Sequence, residues 1–100
     1  MRRLGPEEVA AALQDLPGWT GSEDRLERWF SWPDFVSAIR FVDEVAAVAE
    51  AGQHHPDLDI RYNRVRVVLT THDAGGVTDR DVTVARAVTK VAADVGTGSD

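Results

Sequence analysis

The stretch "DLDIRYNRVRVVLTT", Asp57 to Thr71, decides the fold. Its first half alternates Leu58, Ile60 and Tyr62 with Asp57, Asp59 and Arg61. Its second half is rich in β-branched residues and places Val65, Val67 and Leu69 two apart. A period of two belongs to strands with one buried face. Only Asn63 and its neighbours separate the two runs, so the stretch reads as a tight antiparallel hairpin. Arg61, Arg64 and Arg66 crowd this hairpin and read as a solvated strand face.

Upstream lies the strongest helix, "SWPDFVSAIRFVDEVAAVAEAG". Ser31, Pro33 and Asp34 supply start signals in an S-x-x-D pattern. Phe35, Ile39, Val42, Ala46 and Ala49 form one apolar stripe, and Phe41, Val45 and Val48 a second. A helix this broadly apolar is expected to pack on a sheet and also on a partner chain. Gly52 is the expected C′ residue. Before this helix, Trp19 begins a short strand, "GSEDR" makes a turn, and "LERWFSW" is a second strand. Leu26, Arg28, Phe30 and Trp32 share one of its faces.

At the N-terminal end a helix is expected from Pro6 to Asp15. Pro6 suits its first turn, and Glu7 and Glu8 suit the positive end of its dipole. Val9, Leu13 and Leu16 give it a stripe, and Pro17 and Gly18 end it. Downstream, "HDAGGVTDRD" is a glycine turn leading to a last helix. Thr78 is its N-cap with Asp81 at the third helical position, a capping box. Val84, Val88, Val91 and Val95 form its apolar stripe. The order α-β-β-α-β-β-α favours an α+β two-layer domain: a four-stranded antiparallel sheet with helices on one face. Residues 1–100 read as one domain, with "GTGSD" at 96–100 a disordered tail.

Composition narrows the function. The 11 basic and 17 acidic residues give a formal charge of −6. That sign repels phosphate backbones and disfavours nucleic-acid binding and polybasic membrane attachment. There is no cysteine, hence no thiol or disulfide chemistry. The N-terminus lacks the apolar core of a secretory signal, and no run approaches the roughly 18 apolar residues of a spanning helix. A cytoplasmic setting is the expectation.

The residues suited to chemistry are three histidines. Histidine is the usual general acid or base at neutral pH. His54 and His55 follow the long helix, whose dipole favours a cation there, and Pro56 stiffens the chain after them. His72 ends a strand and enters the glycine turn. By position alone, His54 and His55 fit an ordinary helix terminus better than a reactive site. Three histidines without cysteine match no strong metal-ligand spacing, so no metal is expected. Glu50, four residues before His54, reads either as orienting an imidazole or a ligand or as a solvated carboxylate. Asp81 reads first as a capping residue, with a second role in fixing the turn that carries His72. Trp19 reads as core or hairpin packing.

These residues stand in a register that resembles the pterin-4a-carbinolamine dehydratases. "LPGW" and "LERWFSWPDFVSAIRFVDEVAAVAE" look like the family's opening segment, strand and long helix. Glu50, His54, His55 and Pro56 match a charged residue, three spacers and H-H-P. Tyr62, His72 and Asp81 follow at the family's intervals, and "THDAGGVTDRD" looks like its second signature. The resemblance spans nearly the whole chain.

The resemblance implies dehydration of 4a-hydroxytetrahydropterin to quinonoid dihydropterin, within tetrahydrobiopterin recycling and without a cofactor. It implies His54 and His72 as acid–base groups, each suited to one stereoisomer, and His55 as a binding residue and electrostatic helper. It also implies Glu50, Pro56, Thr71, Asp73 and Ala74 around the pterin, with Asp81 and Trp19 in support. A homodimer or homotetramer, and a link to an aromatic amino-acid hydroxylase, are the partners it suggests. Gln53 and Ala74 depart from animal members, which puts individual binding contacts in question but removes no proton donor. Two other readings stand beside this one: a catalytically idle dimerisation module resembling the animal coactivators, and a pterin-binding protein without dehydratase activity.

Overall fold

The computed structural model describes residues 2–96. In chain order the elements are α1 (Pro6–Gln14), β1 (Thr20–Gly21), β2 (Leu26–Ser31), α2 (Phe35–Gly52), β3 (Asp57–Arg61), β4 (Arg64–Leu69), a single 3₁₀ turn (His72–Ala74) and α3 (Asp79–Val95). The expected order and class are found. The segment 97–100, most of the expected tail, lies outside the described residues.

The four strands form one antiparallel sheet in the order β1-β2-β4-β3. Cross-strand pairs show why one face is dry. Leu26 pairs with Leu69 and Phe30 with Val65, and all four are fully buried. Arg28 occupies the same face opposite Val67. Its guanidinium lies 4.3 Å from the Phe30 ring centroid and donates to the Pro17 carbonyl at 2.9 Å. Stacking on an aromatic face lets a cation share an apolar layer. On the opposite face Glu27 meets Arg66 through paired bonds of 3.0 and 3.1 Å, and Arg64 covers Trp29. The Arg66 bonds hold the Glu27 carboxyl below the usual carboxylate range.

Helices α2 and α3 close the dry face. Phe41 touches both Phe30 and Trp32, with centroids 4.7 and 4.8 Å apart. From α3, Val84, Val88 and Val91 are buried, and Val95 packs partly against the same core. Each large aliphatic or aromatic side chain so buried contributes roughly 1.5–3 kcal/mol.

Several boundaries differ from the sequence reading. The stripe of α2 that enters the core is Ala38, Phe41, Val45 and Ala49. Phe35, expected to lead the main stripe, is 48% exposed. A helix apolar on most of its circumference offers two faces, and the one carrying Ala38, Phe41, Val45 and Ala49 is buried against the rest of the fold. Ser31 is the last residue of β2, and Asp34 is the N-cap, accepting from the Ser37 N–H at 2.8 Å. That bond holds the Asp34 carboxyl below its usual range. At the other end Gly52 is still helical and Gln53 takes the left-handed conformation, φ 50°. Helix α1 stops at Gln14, with Asp15 as C-cap. Trp19 precedes β1, and Trp32 and Tyr62 fall just outside their strands.

Strand β3 is an edge. Leu58 and Ile60 pair with the buried Val67 and Val65, yet remain 36% and 39% exposed. With α2 packed on β4, the helical layer leaves this outermost strand half covered.

Candidate active site

The site forms where α2 ends, β4 ends and α3 begins. Gln53 turns the chain at the C-terminus of α2, its N–H bonding to Ala49 and Glu50 carbonyls. The next N–H, that of His54, bonds to the Ala49 carbonyl at 3.1 Å. These are the bonds that close orphan carbonyls at a left-handed helix end. They fix the backbone of His54 before its side chain makes any contact.

The His54 ring is nearly enclosed, at 10% exposure, and its Nε2 lies 2.5 Å from Asp81 Oδ1. Asp81 is fully buried. Its Oδ2 accepts from the Thr71 hydroxyl and from the Thr78 N–H, each at 2.8 Å. A buried carboxylate is costly unless its oxygens are satisfied, and here both are. The Thr71 and Thr78 hydroxyls are 2.8 Å apart, and Thr78 Oγ1 accepts from the Arg80 N–H at 3.3 Å. The α3 capping box therefore does more than end a helix: its acid is the partner of His54. Asp81 reaches the His72 segment through Thr71, the residue before it.

His72 opens the 3₁₀ turn and is exposed. The turn is pinched shut by the pairing of Thr71 with Gly76, at 3.0 and 3.2 Å. Gly75 supplies the left-handed residue, φ 75°. At Gly76 a Cβ would fall 2.3 Å from the Glu23 carbonyl oxygen, so glycine is required by close approach.

These segments border a cleft of about 340 Å³. His54, His55 and His72 line it together with Thr71 and Asp73, all named from the sequence. Gln53, Thr70 and Arg80 line it too. Arg80 was not singled out by sequence reasoning, although it adjoins Asp81 in the second signature. It forms no ion pair among the described residues.

Other expected site residues lie apart. His55 Nε2 meets Glu50 Oε1 at 2.5 Å, and both side chains are largely exposed, so Glu50 reaches the cleft through His55. Pro56 and Ala74 are not among the lining residues. Trp19 is buried away from the cleft, donating to Thr89 Oγ1 at 2.8 Å and meeting Phe30 edge-on. Among the described residues no group of three His, Cys, Asp or Glu is arranged to hold a metal ion. None of their helices is long and apolar enough to cross a membrane.

The arrangement brings three imidazoles to a single cleft that Arg80 also lines, among them the pair of the enclosed His54 and the exposed His72. Such a pair can exchange protons with two positions of one bound molecule.

Comparison with known proteins finds relatives over nearly the whole chain. Residues 2–91 match the family model described as pterin 4 alpha carbinolamine dehydratase. A protein of Thermomicrobium roseum named "Putative pterin-4-alpha-carbinolamine dehydratase" is 47% identical over 92% of this chain and 99% of its own length. A similarly named Gloeobacter violaceus protein is 50% identical over 88% of this chain and all of its own length. The solved structure of a transcriptional coactivator/pterin dehydratase from Brucella melitensis is 37% identical and superposes with a TM-score of 0.86. That superposition covers 90% of this chain and 98% of the other. The chain belongs to the pterin 4 alpha carbinolamine dehydratase family.

Proposed function

We propose that the cleft dehydrates 4a-hydroxytetrahydropterin to quinonoid dihydropterin and water. The observation that carries this reading is the convergence of His54 and His72 from two distant loops onto one cleft. In the reaction the C4a–O bond breaks and the oxygen leaves as water after gaining a proton. The N5–H proton is lost and the C4a=N5 bond forms, with no change of oxidation state. One group must donate and another accept near neutral pH, and two imidazoles meet that need.

His54 and His72 are the proposed acid–base groups, each serving as donor or acceptor according to the face that bears the hydroxyl. His55, steadied by Glu50, binds the ring and supports developing charge. Thr71 and the turn at Asp73 border the substrate. The physiological role is pterin recycling in the cytoplasm, beside a pterin-dependent hydroxylase of aromatic amino acids.

The test generates the carbinolamine in situ and follows its loss by ultraviolet absorbance. Wild type accelerates dehydration, and His54→Ala and His72→Ala each lose most of that gain, about 10²-fold or more. Chelators leave the rate unchanged. A wild type without acceleration sinks the enzymatic reading, and pterin titration then separates an idle interaction module from a pterin carrier.

Self-association is proposed alongside. The exposed Phe35 and Val36 border a groove of about 290 Å³ on α2, and the half-covered β3 edge carries Leu58 and Ile60. A second copy of the chain would cover these surfaces in a dimer or tetramer, and sedimentation of wild type against Phe35→Glu decides it.

A further inference from the structure

We propose that the buried Asp81 carboxylate holds neutral His54 as the Nε2–H tautomer, so that Nδ1 is the atom that exchanges protons with the substrate. The proposal rests on the dehydratase reading for its catalytic consequence and on geometry for the tautomer itself. Asp81 Oδ2 takes the Thr71 hydroxyl and the Thr78 N–H, and Oδ1 faces Nε2. The Thr78 N–H is a backbone donor and cannot reverse.

The hydroxyls fall into one direction around it. Thr71 donates to Asp81, so Thr71 Oγ1 accepts from the Thr78 hydroxyl, and Thr78 Oγ1 accepts in turn from the Arg80 N–H. Every proton in the network then points toward the carboxylate, and Oδ1 is completed by a donor at Nε2. Nδ1 is the ring nitrogen with no hydrogen-bond partner among the described residues. A neutral imidazole that donates at one nitrogen accepts at the other, so the carboxylate selects which atom faces the chemistry. Asp81 is thus a positioning residue acting through His54.

The same network makes Asp81→Asn a sharp probe. The unreversible Thr78 N–H keeps the asparagine oxygen at the Oδ2 position. The amide NH₂ then stands where Oδ1 stood and donates to Nε2. Nε2 must become the acceptor, and the neutral ring carries its proton at Nδ1 instead. Size and packing hardly change, but the lone pair needed by the substrate is gone.

The experiment uses full-length protein with ¹⁵N-labelled histidine and long-range ¹H–¹⁵N correlation, above the pH at which the imidazoles titrate. The His54 signals are assigned by their loss in His54→Gln. Wild type is expected to show a protonated Nε2 and a bare Nδ1, and Asp81→Asn the reverse. In the dehydration assay Asp81→Asn loses about 10²–10⁴-fold in kcat with KM little changed. A wild-type His54 protonated at Nδ1 overturns the proposal, whatever the variant does. So does an Asp81→Asn protein that keeps the wild-type tautomer while losing activity, since the loss would then be structural. Failure of wild type to dehydrate the carbinolamine refutes the enzymatic reading, while the spectrum still decides the tautomer.

Discussion

The hydroxyl oxygens of Thr71 and Thr78 stand 2.8 Å apart, tying the end of β4 to the N-cap of α3. Both residues are buried, and Thr78 also gives its backbone N–H to Asp81. Replacing Thr78 by alanine removes a cap and one member of a buried network. The expected cost is about 1–3 kcal/mol, read as a lower urea midpoint. Thr78→Ser keeps the hydroxyl and should recover most of that loss. Equal destabilisation by the two variants would show that the hydroxyl is not what matters.

The two phenylalanines of α2 should separate cleanly. Phe41 is fully buried between Phe30 and Trp32, and Phe41→Ala is expected to cost about 3–5 kcal/mol. Phe35 lies on the same helix but half exposed, so Phe35→Ala should shift the stability of the isolated chain by about 0.5 kcal/mol or less. Chemical denaturation at low protein concentration makes the comparison. A Phe35 effect that grows with concentration would report on self-association instead.

Adjacent glycines should fail for different reasons. A Cβ at Gly76 meets backbone, so Gly76→Ala must displace the turn, at about 1–3 kcal/mol. Because that turn carries His72, dehydration should fall with it. Nothing lies within 4 Å of a Cβ at Gly75, and only its φ of 75° is unfavourable. Gly75→Ala should cost about 1 kcal/mol, and Gly75→Asn less. Denaturation midpoints and rates on the same samples test the distinction.

Acid should loosen the N-terminal segment in a defined window. Glu8 accepts both Arg2 guanidinium nitrogens at 2.8 and 2.7 Å and the Gly5 N–H at 3.0 Å. These bonds, led by Arg2, lower its pKa from 4.5 to about 2. A carboxyl with a lowered folded pKa binds fewer protons when folded. Its contribution is complete above the ordinary carboxylate range and disappears as pH falls through about 2. Asp34, Glu27 and Asp59 are shifted in the same direction. Stability should therefore be level above roughly pH 5 and decline toward pH 2. The difference between wild type and Arg2→Ala should narrow over that interval. A difference that widened on acidification would refute the assignment.

What was legible in the sequence follows the range of the interaction. The β3–β4 hairpin could be read because alternation and a two-residue turn are local. The Thr78–Asp81 cap could be read for the same reason. The face of α2 could not: two apolar stripes compete, and the choice depends on packing against β4 and α3, which lie far along the chain. The left-handed residue at Gln53, beside an available Gly52, is likewise decided by where the chain must turn to place His54. The pairing of His54 with Asp81 spans 27 residues and has no periodic signature. The family resemblance brought both residues to notice, yet attached Asp81 to the His72 turn. Arg80 escaped because an arginine on a helical first turn looks like any solvated cation.

Asp81 caps a helix through one carboxylate oxygen and faces a histidine with the other. Most substitutions at that position disturb folding and reactivity together; Asp81→Asn, which keeps an acceptor for the Thr78 N–H, is the exception. A random-mutagenesis screen scored on cellular activity would return most changes at Thr71, Thr78 and Asp81 as loss of expressed protein, hiding any effect on turnover. Such a screen becomes informative about this cluster only when the amount of folded protein is counted in every clone.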